Sequence, residues 1–196
     1  KQARGLISKK TEQITPLRSS YEMVLYVPVL ELIVVGLQVA VALAEAAGGQ
    51  LFPNALEELG VPMAVTQQYT KGLGDTVAPI KEAIGEFEPM EKMSFSALGC
   101  DTFVEWVKAQ GRKTILVCGV ESHICVLQSI IDLVREGYRV FIVADCVGSR
   151  MVYNKDYAIM RATQEGAFVT TCEGALYEMV QGAGTPHFKA ISKITK

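Results

Sequence analysis

Residues 114–144, TILVCGVESHICVLQSIIDLVREGYRVFIVA, decide the fold because they hold two apolar runs with an amphipathic segment between them. Residues 114–118 (TILVC) and 139–144 (RVFIVA) are short and almost wholly apolar, which is typical of strands buried on both faces. The segment between them carries apolar residues at the spacing of one helix face: Leu127, Ile130, Ile131 and Val134. This order predicts a βαβ unit with parallel strands.

The same alternation of strand and helix extends in both directions. Further strands are predicted at 61–66 (VPMAVT) and 167–171 (AFVTT). Further helices are predicted at 101–110, where Asp101 is a possible cap and Gly111 the stop, at 154–165 and at 175–181. We therefore expect a three-layer α/β/α fold with a parallel, roughly six-stranded, Rossmann-like sheet. It should form a single domain over residues 1–196, with residues 1–20 as a flexible extension.

Residues 23–44 form an apolar stretch that is long enough to be tested as a membrane span. Glu31 lies inside the stretch, and a carboxylate at the centre of a bilayer costs several kcal/mol. Pro28 and Gly36 also interrupt it. We interpret the stretch as a buried strand that runs into a buried helix, and we expect no association with a membrane.

Charge and cysteine content restrict the function classes. A net charge of −2 predicts no surface for nucleic acid, so the expected partner is a small-molecule substrate. The five cysteines form no CxxC pair and only two histidines are present, so we expect neither a zinc site nor another cofactor. Scattered single cysteines and the lack of an apolar secretory segment in the first twenty residues predict an intracellular protein, cytoplasmic rather than mitochondrial.

Cys125 is the candidate nucleophile, because it lies at the start of a helix that follows a buried strand. In parallel α/β sheets the ligand site lies at the carboxyl ends of the strands. A helix N-terminus lowers the pKa of a thiol and offers unbonded backbone N–H groups to a developing oxyanion. The alternative is that Cys125 is a small core residue, as we expect for Cys118 in mid-strand.

Several motifs in order resemble the isochorismatase-like cysteine hydrolases, and most of all the isochorismatase domain-containing proteins. Residues 66–80 (TQQYTKGLGDTVAPI) are similar to a TEQYPKGLG segment of that group, and residues 91–97 read EKMSFSA. Residues 115–150, which include GVESHIC, match almost throughout, and residues 187–194 (HFKAISKI) are similar to the C-terminal tail. The nicotinamidase metal site of one Asp and two His is not evident, since His123 and His187 are the only histidines.

The resemblance implies a catalytic triad of Asp, Lys and Cys, with Cys125 as the nucleophile and Lys92 as its electrostatic partner. An ammonium group near a thiol stabilises the thiolate, although a lone lysine is more often a solvated surface residue. The resemblance also implies a cis peptide bond between Val120 and Glu121, which orients backbone N–H groups toward the oxyanion together with the N–H of Cys125. We interpret His123 as a positioning residue and not as the base.

The family aspartate is not found at its expected place. The family pattern LLxxDxQ lies on the first strand, and its alignment with residues 23–31 (MVLYVPVLE) places Pro28 at the aspartate position. No Asp occurs anywhere between residues 1 and 55. Three explanations stay open: an inactive member that keeps the pocket, Glu31 as a substitute turned inward by a bulge, or a natural sequence that differs from this one between residues 20 and 50.

An active site of this kind predicts attack of the Cys125 thiolate on the carbonyl carbon of a small amide or carbamoyl substrate, followed by release with water. The resemblance also allows the vinyl-ether cleavage that isochorismate requires. The alternative function is a catalytically impaired family member that serves as an oligomeric binding or scaffold protein. In both cases the resemblance implies a homo-oligomer, a dimer or a tetramer.

Overall fold

The structure is a computed structural model, and it describes the backbone of residues 32–37 together with residues 51–196. The described strands are β1 (Leu32–Leu37), β2 (Met63–Gln68), β3 (Met90–Lys92), β4 (Thr114–Val120), β5 (Arg139–Gly148) and β6 (Phe168–Thr170). They lie in the order β3-β2-β1-β4-β5-β6, and every neighbouring pair is parallel. The predicted α/β fold with parallel strands is confirmed.

Helices connect the strands, as parallel pairing requires. They are α1 (Leu51–Glu58), α2 (Thr70–Leu73), α3 (Ala78–Ile84), α4 (Asp101–Gln110), α5 (Leu127–Arg135), α6 (Val152–Gln164), α7 (Cys172–Val180) and α8 (Phe188–Ile194). A short 3₁₀ turn (Ala97–Gly99) precedes α4, and a π-type turn (Ser122–Val126) joins β4 to α5.

Two apolar cores flank the sheet. The first core includes buried side chains of α1, α3, α7 and α8: Phe52, Leu56, Ile80, Leu176 and Ile191. The second core includes buried side chains of α4, α5 and α6: Phe103, Val107, Ile130, Leu133 and Ala162. Burial of a large apolar side chain contributes about 1.5–3 kcal/mol, so these two layers hold the helices against the strands.

Several element boundaries differ from the predicted ones. β5 was predicted to end at Ala144 but continues to Gly148, because its pairing with β4 shifts between Val117 and Gly119 and then resumes. Asp101 does not cap α4: the N-cap is Cys100, and no side-chain cap bond forms. Gly111, with φ 63°, ends α4 in the left-handed conformation, as predicted.

The region before α1 is described only at β1. The strand predicted within residues 23–31 lies outside the described residues, and so does most of the apolar stretch at 23–44. The single domain over 1–196, and residues 1–20 as an extension, stay predictions. No helix in the described part of the chain combines the length and the apolar character needed to cross a bilayer.

Candidate active site

The carboxyl ends of three strands bring together Gln68, Lys92 and the turn that carries Cys125. Gln68 is the last residue of β2 and Lys92 the last of β3, and the two are paired in the parallel register. The backbone N–H of Tyr69 donates to the carbonyl of Lys92 at 3.0 Å and extends this pairing by one residue. Cys125 follows β4 within the π-type turn, so the two residues predicted to act together do meet at this edge of the sheet.

Lys92 is buried and its ammonium group is fully hydrogen-bonded. Only 4% of the residue is exposed. Its Nζ donates to Gln68 Oε1 at 2.5 Å and to the carbonyl oxygens of Ser94 and Phe95, each at 2.9 Å. Three acceptors match the three N–H donors of an ammonium group. Lys92 is therefore a buried lysine and not the solvated surface lysine that its residue type alone suggests.

Burial disfavours the charged forms of both Lys92 and Cys125, so it shifts their pKa values in opposite directions. It lowers the pKa of the Lys92 ammonium, while the thiols of Cys125 and Cys100 partly oppose this change. Burial raises the pKa of the half-buried Cys125 thiol; the Lys92 cation opposes this rise, and Glu121 adds a smaller increase. The net direction for Cys125 is upward. The lowering predicted from the helix N-terminus alone is not what this environment produces, because burial outweighs the nearby cation.

Hydrogen bonds to neighbouring elements hold the turn around Cys125 in place. The buried Ser129 hydroxyl donates to the Cys125 carbonyl at 2.7 Å and accepts from the backbone N–H of Ala97 at 2.8 Å. The Ser122 hydroxyl donates to the carbonyl of Gly148, at the end of β5, at 2.6 Å. These bonds join the turn to the segment after Lys92 on one side and to β5 on the other.

The peptide bond between Val120 and Glu121 is cis, as the motif implied. Glu121 then begins the π-type turn, and its carbonyl accepts from the backbone N–H groups of Ile124 and Val126 at 3.1 and 3.3 Å. Its carboxylate accepts from the backbone N–H of Arg150 at 3.2 Å. Val120 and Glu121 also line the cavity that opens beside Cys125.

The polar contacts of His123 lead away from Cys125. Its Nδ1 lies 2.9 Å from Ser149 Oγ and 3.5 Å from Glu121 Oε2, and its Nε2 lies 3.4 Å from Asn154 Nδ2. The ring nitrogens therefore face Ser149 before α6, Asn154 in the first turn of α6, and Glu121 at the start of the π-type turn. This environment supports the interpretation of His123 as a positioning residue.

A cavity of about 350 Å³ opens beside Cys125. Apolar side chains line part of it: Leu73, Val77, Phe95 and Ile124. Glu121 and Arg150 add a carboxylate and a guanidinium group to the same wall. The volume lies within the range of small-molecule sites, and the lining combines apolar contact with a few polar groups that can orient a ligand.

Pro28 and Glu31, the residues considered for the family aspartate, lie outside the described residues. The described strand at the centre of the sheet is β1, and its sequence with the next residue reads LIVVGLQ over 32–38. This heptapeptide fits the pattern LLxxDxQ with Gly36 at the aspartate position and Gln38 at the final Gln. Since β1 pairs with both β2 and β4, its carboxyl end lies at the same edge as Gln68 and the Cys125 turn.

Gln67 and Gln68 are buried polar residues beside the candidate site that the sequence did not single out. Both are buried, at 3% and 7% exposure. Gln67 accepts from the backbone and hydroxyl of Thr76 at 3.0 and 2.9 Å and donates to Thr70, so it shapes the loop that forms the cavity wall. One feature of the sequence could have identified them: two adjacent glutamines stand at the end of an apolar strand, where buried polar side chains need hydrogen-bond partners. Among the described residues no group of three or more His, Cys, Asp or Glu could hold a metal ion.

The model of the isochorismatase domain matches residues 33–174. The chain is 39% identical over 153 residues to the "Secreted isochorismatase effector Isc1" of Phytophthora sojae, covering 76% of this chain and 73% of that protein. It is also 39% identical over 142 residues to "Isochorismatase domain-containing protein 2" of Danio rerio, covering 72% and 71% of the two chains.

Two solved structures share the fold. "MAR1 Ribonuclease" from Caenorhabditis elegans superposes with a TM-score of 0.77 and 29% identity, covering 86% of this chain and 91% of the other. The YcaC gene product of Escherichia coli, described as an octameric hydrolase of unknown specificity, superposes with a TM-score of 0.78 and 19% identity, covering 86% and 88%. At that identity the second match shows the fold alone.

Proposed function

The chain belongs to the isochorismatase family, and on this premise we propose that it is a hydrolase that cleaves a small amide, carbamoyl compound or related substrate with Cys125 as the nucleophile. One observation carries the proposal: a half-buried thiol lies beside a buried, fully hydrogen-bonded ammonium group at the wall of a small-molecule-sized cavity. The three features together match a site for nucleophilic catalysis.

In the proposed reaction Cys125 Sγ adds to the carbonyl carbon, and the carbon–nitrogen bond then breaks. The thiol proton leaves with the amine, so the first half yields an amine and a thioester on Cys125. Water hydrolyses the thioester to the carboxylic acid and restores the thiol. Backbone N–H groups near Glu121 and at Cys125 are the proposed donors to the oxyanion, and a donor of this kind contributes about 2.7–4 kcal/mol in other enzymes.

Lys92 has an electrostatic part in this proposal. The three acceptors around Nζ favour the ammonium form and hold it in one place. The cation stabilises negative charge on Sγ once the proton departs, while burial keeps the resting thiol protonated. His123 is proposed to fix the turn through Ser149 and Asn154 and to take no proton from Cys125.

We propose that Gly36 stands where the family has its aspartate, since β1 lies at the centre of the described sheet and its sequence fits the family pattern. A glycine can neither take the thiol proton nor pair with Lys92. The chain is therefore proposed to be a slow hydrolase. The alternative is a catalytically impaired family member that serves as a binding or scaffold protein, and the experiments below distinguish the two.

Removal of the nucleophile tests the proposal directly. We expect Cys125→Ala to abolish turnover of any small amide, carbamoyl compound or ester that the wild-type protein hydrolyses in a substrate screen, because no other group can form the acyl intermediate. Cys118→Ala, which removes a thiol from the first core, should keep that turnover. Undiminished turnover by Cys125→Ala would refute the nucleophile, and no turnover by the wild type would favour the alternative.

Restoring the carboxylate tests the assignment of Gly36. We expect Gly36→Asp to raise kcat on the same substrates by about 10²–10⁴-fold, the usual contribution of a positioned general base. The combined variant Gly36→Asp with Cys125→Ala should remain inactive, which separates the family mechanism from a new one. A folded Gly36→Asp variant without any gain would show that the third group of the site lies elsewhere.

The proposed partners are a small-molecule substrate and further copies of the same chain. The octameric description of the E. coli structure concerns that protein, and it supports a homo-oligomer here only through the shared fold. Exposed apolar side chains on one stretch of α6 and the residue before it also support an interface: Met151, Val152, Tyr153, Tyr157 and Met160. The acidic net charge supports the exclusion of nucleic acid despite the ribonuclease description of one structural relative.

A further inference from the structure

We propose that Gln68 is the positioning residue that links Lys92 to Cys125, so that one amide oxygen orients the cation and accepts from the resting thiol. The inference rests on the proposed function in so far as Cys125 is the nucleophile. Nothing in the family resemblance or in the relatives' descriptions assigns a role to this glutamine. It follows from the contacts of a single buried side chain.

The orientation of the Gln68 amide is set by its nitrogen. Nε2 donates to the carbonyl of Met93 at 2.8 Å, and a carbonyl accepts but cannot donate. The oxygen therefore has to point the other way, toward Lys92. With only 7% of the residue exposed, solvent offers little competition for either end of the amide.

The oxygen of the same amide lies between the two predicted catalytic residues. Oε1 accepts from Lys92 Nζ at 2.5 Å and lies 3.9 Å from Cys125 Sγ. A carbonyl oxygen has two lone pairs, so it can accept from the ammonium group and from the thiol at once. Gln68 thereby holds Nζ at a fixed place and favours the protonated form of Cys125 before substrate arrives.

An amide cannot serve as the base, which limits how Gln68 acts. It has no accessible proton-accepting state near neutral pH, so its influence on Cys125 is through its dipole and through the placement of Lys92. Loss of the oxygen should therefore favour the thiolate. The thiol loses a hydrogen-bond acceptor, and the ammonium group of Lys92 no longer donates to Gln68 and can interact more strongly with the sulfur. A carboxylate at the same place should favour the thiol, because its charge repels the thiolate.

The test measures the pH dependence of iodoacetamide alkylation at Cys125, followed by mass spectrometry of the peptide that contains it. We expect Gln68→Leu to lower the Cys125 pKa by about one unit and Gln68→Glu to raise it by about one unit. Gln68→Asn, which withdraws the oxygen by one methylene group, should lower it as well and serves if the leucine variant does not fold. Gln164→Leu, at an exposed position at the end of α6, is the control, with an expected change of less than about 0.3 unit.

Shifts of opposite sign for Gln68→Leu and Gln68→Glu support the link, because a purely structural residue would change the pKa in one direction or not at all. Equal shifts in the two variants, or a shift of the same size in Gln164→Leu, would overturn it. The readout needs no substrate. A failure of Cys125→Ala to abolish turnover would thus refute the nucleophile while the alkylation result for Gln68 stands on its own.

Discussion

Cys125 and the three cysteines of the first core have contrasting surroundings, and the contrast shows what separates a reactive thiol from a structural one. Cys118, Cys146 and Cys172 are buried together in the first core. Burial raises the pKa of Cys118 to about 12, and the hydrogen bond that the Cys146 thiol makes to Cys172, together with burial, raises the pKa of Cys146. Cys125 also has a raised pKa, but Lys92 opposes the rise and a cavity gives access to its sulfur.

Burial alone therefore does not distinguish the two regions. A buried thiol with only thiols and apolar groups around it stays neutral and out of reach of reagents. A half-buried thiol with a fixed cation beside it can still be ionised and attacked or alkylated. Cys125 combines two features that the thiols of the first core lack: the cavity beside it and the ammonium group of Lys92, at the end of β3.

Removal of the Lys92 cation should make Cys125 as unreactive as a thiol without a nearby positive charge. We expect a larger effect from this change than from the change of pH considered next. Lys92→Met removes the influence that opposes the raised pKa, so we expect alkylation of Cys125 at pH 7.5 to slow by about 10- to 100-fold, the range that a nearby charge produces. Iodoacetamide kinetics on the folded protein measure this. Lys189→Met, at an exposed position on α8, is the control and should keep the wild-type rate. Equal rates in both variants would contradict the assigned role of Lys92.

Alkaline pH should reveal the raised pKa of a core thiol, Cys118, as a loss of stability. We expect this effect to be smaller than that of Lys92→Met. The Cys118 thiol ionises near pH 8.5 when the chain is unfolded, but only near 12 in the folded protein. Its contribution to stability is thus fully present below pH 8.5 and is lost as the pH rises toward 12. Between pH 8.5 and 9.5 we expect this thiol to lower the free energy of unfolding by about 1 kcal/mol.

Urea unfolding of the wild-type protein and of Cys118→Val at pH 7.5, 8.5 and 9.5 measures this loss. Groups that do not interact with Cys118 affect both proteins alike, so the difference between the two pH profiles reports Cys118 and its interaction with Cys146 and Cys172. The valine variant should show the shallower decline. Parallel profiles would mean that the Cys118 thiol ionises in the folded protein as readily as in the unfolded chain.

The sequence predicted the strands and helices whose apolar pattern is strong. Thr114–Val120 and Leu127–Arg135 match their predictions to within about two residues, because buried strands and amphipathic helices leave distinct periodicities. The three-residue strand β3 was missed, since so short a strand carries no period. The family motifs nevertheless identified Lys92 at its end, and the contacts of Lys92 with the Cys125 thiol agree with that choice.

Other parts of the site depended on three-dimensional neighbours that the sequence does not show. The alignment placed the family aspartate position at Pro28, which lies outside the described residues, so this placement stays a prediction; the described central strand, Leu32–Leu37, carries Gly36. An apolar stretch as long as residues 23–44 offers several registers of equal quality. Gln68 was missed because the partners of its amide lie on β3 and in the turn before α5, 24 and 57 residues away.

Adjacent positions on β2 contact two different parts of the molecule, and this restricts which insertions and deletions the strand can tolerate. Gln67 shapes the loop over the cavity and Gln68 reaches the cation and the thiol, because successive side chains of a strand point to opposite faces. Point substitutions in β2 can damage one of these tasks and spare the other. A one-residue insertion or deletion in Met63–Gln68 would exchange the two faces and disable both at once, so length changes should be confined to the loops on either side of this strand.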